Sequence, residues 1–83
     1  MYRLIVSPQA QKQLKDIKKH YQVAVRLATQ EIKEDPTIGK PLTRELIKRF
    51  SYRVGVYRII YKVNKKDQIV NILTVGHRAT VYK

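Results

Sequence analysis

A two-residue turn, Gly55-Val56, separates the stretches Ser51 to Val54 and Tyr57 to Tyr61 and pins the register of everything around it. A glycine in a two-residue connection between apolar, β-branched and aromatic runs joins antiparallel strands, so 54 is predicted to pair with 57, 53 with 58 and 52 with 59. Arg53 then faces Arg58. Like charges on directly opposed residues destabilise a sheet by a few tenths of a kcal/mol to about 1 kcal/mol. An anion held between the two guanidiniums would remove that cost.

Asn64 to Asp67 reads as a polar turn into a further strand. Pairing 63 with 68 places 61 opposite 70, 59 opposite 72 and 57 opposite 74. One face then carries Tyr57, Ile59, Tyr61, Val63, Val70 and Ile72, and is apolar. The other carries Arg53, Arg58, Lys62 and Asn71 among Ile60, Ile69 and Leu73. The last strand runs to Val75 and leaves Gly76-His77-Arg78 at the same end of the sheet as Arg53 and Arg58. Three guanidiniums and an imidazole are thus predicted to converge, a grouping suited to phosphate.

Towards the N-terminus, Tyr2, Leu4 and Val6 alternate with Arg3 and Ser7, which predicts a short strand. Ser7-Pro8 is a helix start: the serine caps free amides, and proline at the first helical position gives up no hydrogen bond. Ala10, Leu14, Ile17, Tyr21, Ala24 or Val25, Ala28 and Ile32 form one apolar stripe ending at Asp35-Pro36. As a single helix this would be about 40 Å long, against ~20 Å for a six-residue strand. A break near Lys18 to His20 and two antiparallel helices are therefore expected. Pro36 to Leu46, with Gly39-Lys40-Pro41, reads as a connecting loop, and the strands resume from about Arg49. The expected fold is α+β: an antiparallel sheet in the order β-α-α-β-β-β, with two helices on one face and the other left open.

The 83 residues allow one domain, spanning 1–83, and one modest core. They include 18 Lys and Arg against 6 Asp and Glu, a formal charge of +12. That excess implies a polyanionic partner. Residues 1 to 35 hold seven basic and four acidic side chains, whereas 36 to 83 hold eleven and two, so the partner is expected on the C-terminal half. A membrane surface would call for a basic amphipathic helix, and the basic half here is strand-rich. There is no cysteine, no apolar run of the ~20 residues needed to span a bilayer, and no secretory signal pattern, so a cytoplasmic location is expected. His20 and His77 are far apart in sequence, with few carboxylates near, so neither a metal site nor a cofactor is expected.

Arg53-Val54-Gly55-x-Tyr57-Arg58-Ile59-Ile60-Tyr61 together with Val75-Gly76-His77-Arg78, supported by Gly39-Lys40-Pro41-Leu42, resembles the RelE/ParE superfamily of toxins from toxin–antitoxin pairs over nearly the whole chain. The resemblance implies a small microbial-ribonuclease-like fold. For the RelE branch it implies a toxin that enters the ribosomal A site and cuts mRNA without a metal. It implies that Arg58 and Arg78 bind the scissile phosphate, that Arg53 stands in for a basic residue of its strand, and that Tyr82 answers to a functional C-terminal tyrosine. Lys48, Arg49, Arg53 and Lys62 are the further candidate RNA contacts. The first of two basic residues common in the RelE strand is here Ser51. Arginine does not supply a base near neutral pH, which leaves His77, Tyr82 or groups of the ribosome to take the 2′-hydroxyl proton. The expected partners are the ribosome, mRNA and an acidic antitoxin that folds on binding. The alternative is a ParE-like toxin that binds DNA gyrase and is not an enzyme; a simple nucleic-acid binder would explain the charge but not the opposed arginines.

Overall fold

The structure, a computed structural model, describes residues 1–42 and 49–77. Strand β1 (Arg3–Val6) leads into helices α1 (Pro8–Asp16) and α2 (Lys19–Glu34). A single 3₁₀ turn, Pro36–Ile38, precedes a two-residue strand β2 (Lys40–Pro41). Then come β3 (Arg49–Val54), β4 (Tyr57–Asn64) and β5 (Ile69–His77). The five strands form one sheet in the order β1-β5-β4-β3-β2.

The expected break divides the helices at Ile17 and Lys18. Ile17 leaves the helical region with φ −83° and ψ 142°, and its carbonyl accepts from Gln22 Nε2 at 2.7 Å. The stripe read from spacing is the buried one: Ala10, Ile17, Val25, Ala28 and Ile32 lie in the core, with Leu14 and Tyr21 packed against it. From the sheet come Phe50, Ile59, Tyr61, Val70, Ile72 and Val75. Among the described residues no helix is long and apolar enough to cross a membrane.

The α+β layering stands as expected, with three corrections. The sheet is mixed rather than antiparallel: β1 runs parallel to β5, with Leu4 beside Val70 and Val6 beside Ile72. Alternation tells which face of β1 is buried and is silent on its direction, so the pairing of chain beginning with last strand was not readable. Within the expected loop, Lys40–Pro41 form an edge strand, with Lys40 opposite Ser51 and Pro41 opposite Phe50.

The third correction is the β4–β5 register. The turn falls one residue later than expected, at 65–68, closing with Gln68 at φ 53° while Asn64 Oδ1 accepts from the Asp67 amide at 3.0 Å, and this displacement moves the pairing by two. Val63 therefore meets Val70 and Tyr61 meets Ile72. A β-bulge between Ile60 and Tyr61 then leaves Leu73 as an extra residue, so Ile59 meets Val75 and Tyr57 meets His77. Helix α1 supplies what β5 lacks beyond the end of β1. The Ser7 hydroxyl donates to the Leu73 carbonyl at 2.9 Å while accepting from the Ala10 amide, and Gln13 Oε1 accepts from the Val75 amide at 2.8 Å. One serine thus caps the helix and satisfies the bulge.

Candidate functional site

The β3–β4 register is as predicted: Val54 opposite Tyr57, Arg53 opposite Arg58, Tyr52 opposite Ile59. Gly55 sits at φ 60°, in the left-handed region that the first position of such a turn needs. Strand alternation puts Phe50, Tyr52, Ile59 and Tyr61 towards the helices. Phe50 stacks on Tyr61 with ring centroids 5.3 Å apart, and the Tyr52 hydroxyl donates to Glu31 of α2 at 2.8 Å. That bond, to a carboxylate, raises the Tyr52 pKa above its ordinary value.

The opposite face collects cations in rows. In the first, Arg53 and Arg58 oppose one another and Arg58 is flanked on β5 by Gly76, which has no side chain to cover it. In the third, Arg49 opposes Lys62, with Asn71 and then the half-exposed Ile5 beyond. Between them lie Lys40, Ser51, Ile60 and Thr74. Arg53 is exposed and its Nε donates to the Gly55 carbonyl at 3.2 Å, turning the guanidinium along the hairpin end. Arg58, on the central strand, is half-buried, with its Nε below the surface. Opposed residues stand about 4.5 to 5.5 Å apart at Cβ, so both rows, Arg53 with Arg58 and Arg49 with Lys62, are like-charge pairs. An RNA or phosphate backbone laid on this face would meet two paired cations at each row.

Of the residues singled out in the sequence, Arg49, Arg53, Arg58 and Lys62 are brought together on this face. Lys48, Arg78 and Tyr82 lie outside the described residues. His77 does not join them. It pairs with Tyr57, so its ring lies on the helix side of the sheet, 6.1 Å from the Tyr57 ring, and Tyr57 in turn meets Tyr21 of α2 at 5.2 Å. His77 borders a recess of about 220 Å³ lined also by Gln13, Asp16 and Ile17. The expected convergence of imidazole and guanidiniums fails because the displaced turn and the bulge together move β5 by three residues against β4. The sequence reading also overlooked Lys40 as a site residue; its one-residue spacing from Gly39 gave no sign that it belongs to a strand.

Beneath the basic face the Tyr61 hydroxyl, fully buried, donates to the Pro36 carbonyl at 2.6 Å and accepts from the Gly39 amide at 2.9 Å. Burial pushes its pKa up to about 12. Asp35 caps the same segment, accepting from the Thr37 hydroxyl at 2.6 Å and the Thr37 amide at 3.1 Å, and those bonds hold its carboxyl below the usual range.

Comparison with known proteins places this architecture. The family described as the ParE toxin of the type II toxin–antitoxin system parDE matches residues 4–82. Toxin RelG of Mycobacterium tuberculosis is 42% identical over 60 residues, which are 71% of this chain and 69% of that toxin. A chain of the M. tuberculosis RelBE2 toxin–antitoxin complex superposes with a TM-score of 0.82 at 33% identity, covering 93% of this chain and 98% of that one. The archaeal RelE–RelB complex of Pyrococcus horikoshii OT3 gives 0.79 at 25%, covering 96% and 98%. The isolated RelE toxin of Escherichia coli gives 0.81 at 22%, covering 99% and 92%, a likeness of fold.

Proposed function

We propose, given that this chain belongs to the RelE/ParE superfamily of toxins from type II toxin–antitoxin systems, that it is a ribosome-dependent endoribonuclease that cuts mRNA. The observation that carries the reading is the register-matched pair of Arg53 and Arg58 on the open face, beside Arg49 and Lys62. Four cations in two opposed pairs are an arrangement a phosphodiester backbone stabilises and a plain solvated surface does not require. The relatives with RelE-type names support the same branch.

In the proposed reaction a ribose 2′-oxygen attacks the adjacent phosphorus. The O2′–P bond forms, the P–O5′ bond breaks, and the products are a 2′,3′-cyclic phosphate and a 5′-hydroxyl. The 2′-hydroxyl proton passes to a base and the departing O5′ takes up a proton. Arg58 and Arg78 are assigned to the charge that grows on the phosphorane oxygens, and removal of one such preorganised donor typically costs about 10²- to 10³-fold in rate. Arg53, Arg49, Lys62 and Lys48 are assigned to positioning the backbone. Tyr82 or a group of the ribosome is assigned the proton transfer. The geometry speaks against His77 in that role, because its ring lies across the sheet from Arg58.

The test is translation in vitro followed by primer extension on the message. Breaks at A-site codons that vanish with Arg58→Ala support the reading; an uncut message in a translation-arrested reaction overturns it. The family description that names ParE favours a second reading, a toxin that binds DNA gyrase. Inhibition of supercoiling by the purified chain, with mRNA intact, is its signature. In either case the partner is a cognate antitoxin, as the related RelE–RelB complexes are built. An acidic antitoxin segment suits the charge of +12, and its association rate should fall steeply with added salt.

A further inference from the structure

We infer that Lys40 is a phosphate-binding residue of the open face, and that Tyr61, from within the core, is the positioning residue that holds it there. The inference rests on the reading of that face as an RNA surface and adds to it a cation from a different part of the chain.

The register puts Lys40 opposite Ser51. Ser51 shares a face with Arg49 and Arg53, its neighbours two residues away on β3, so Lys40 projects to that face too. Its diagonal neighbours are therefore Arg49 and Arg53, each about 7 to 8 Å away. Lys40 lies in the row between the two like-charge pairs and bridges them along the sheet edge. It is exposed, and its ammonium is free to reach a ligand lying across either row.

An edge strand of two residues holds little by itself. Downstream, the Leu42 amide donates to the Arg49 carbonyl at 2.9 Å. Upstream, the Tyr61 hydroxyl ties this strap to the core, donating to the Pro36 carbonyl and accepting from the amide of Gly39, the residue next to Lys40. Pro36 and Gly39 are themselves buried, so no solvent replaces that hydroxyl cheaply. The seat is close: a Cβ on Gly39 would stand 2.2 Å from the Tyr61 oxygen and 2.9 Å from two ring carbons. Glycine at 39 is thus required by a close approach. A pKa of about 12 keeps the hydroxyl protonated, and so a donor, at any physiological pH.

The experiment measures binding of the purified chain to a labelled single-stranded RNA oligonucleotide as a function of KCl concentration. Each phosphate contact in a single strand contributes about 0.7 to the slope of log affinity against log salt. Lys40→Gln should reduce the slope by about 0.7, and Lys40→Arg should keep it. Tyr61→Phe should reduce it as Lys40→Gln does, with no further loss in the double variant. Gly39→Ala, which pushes on the same hydroxyl from the other side, serves as a second disruption, with circular dichroism melts establishing that each variant is folded at the assay temperature. A folded Tyr61→Phe protein with the wild-type slope, or a double variant that loses more than Lys40→Gln alone, overturns the positioning role. An unchanged slope in Lys40→Gln overturns the assignment of Lys40 while a fall in Arg53→Ala/Arg58→Ala keeps the open-face reading. If the double arginine variant also keeps the wild-type slope, that reading falls and this inference with it.

Discussion

Arg58 and His77 sit at the same end of the sheet, one residue out of register, and on opposite faces: Arg58 pairs with Gly76, and His77 with Tyr57. A single rung decides which of them can touch a strand of RNA laid over Arg53. Replacing His77 by Gln should therefore leave growth inhibition near the wild-type level. Arg58→Ala should slow message cleavage by about 10²-fold or more. A pH–rate profile checks the same point, since wild type and His77→Gln should give the same profile if the imidazole takes no part. Loss of cleavage in a folded His77→Gln protein would contradict the assignment of faces.

The Arg53 and Arg58 pair predicts that binding and stability pull against each other. Both side chains carry positive charge on directly opposed residues, and Arg53 is exposed. Arg53→Ala should raise the free energy of unfolding by a few tenths of a kcal/mol to about 1 kcal/mol, while weakening RNA binding. The gain should shrink as salt screens the repulsion, because the Debye length falls from about 10 Å at 0.1 M to 3 Å at 1 M. Urea unfolding at two salt concentrations measures it. A destabilised Arg53→Ala protein would mean that packing of the arginine stem outweighs the repulsion.

What could be read from the sequence follows from how local each signal is. Gly55-Val56 fixes a hairpin through four adjacent residues, and the Arg53/Arg58 opposition came out of it correctly. The helix break was legible from length alone, as a 27-residue rod would overhang the sheet. The β4–β5 register was not, since it turns on Asn64 holding the Asp67 amide and on Leu73 bulging, neither of which leaves a mark in alternation. The slip from turn and bulge together is odd in number, so the buried face gains Val75 and His77 goes to the helix side. Lys40 was hidden for another reason. Its place depends on a contact between Tyr61 and Gly39, 22 residues apart, and no short-range pattern reports that.

Gly55 makes a clean test of the hairpin. It adopts φ 60°, and a Cβ built on it meets nothing within 4 Å, so any penalty for a side chain is backbone conformation alone. Gly55→Ala should cost about 1 to 2 kcal/mol, and Gly55→Asn less, because asparagine tolerates the left-handed region. Equilibrium unfolding of the two variants gives the order. Equal losses would show that the turn changes type rather than bearing the strain. Message cleavage should follow the same order if the turn is what sets Arg53 against Arg58.

Tyr61 predicts how the fold fails in alkali. Its phenol is moved from an ordinary 10.0 up to about 12, first because burial disfavours the phenolate. The folded chain therefore holds this proton more tightly than the unfolded chain. Its contribution to stability is complete below pH 10 and is lost as pH rises from 10 through 12. Tyr52, raised mainly by its bond to Glu31, acts in the same direction. The informative quantity is a difference between two proteins that share every other titrating group. The stability of the wild type minus that of Tyr61→Phe should be constant up to about pH 10 and decline above it. Urea midpoints of both proteins taken in steps from pH 8 to 12 provide it. A wild-type advantage over Tyr61→Phe that persists unchanged at pH 12 would mean that the buried hydroxyl does not titrate with the fold.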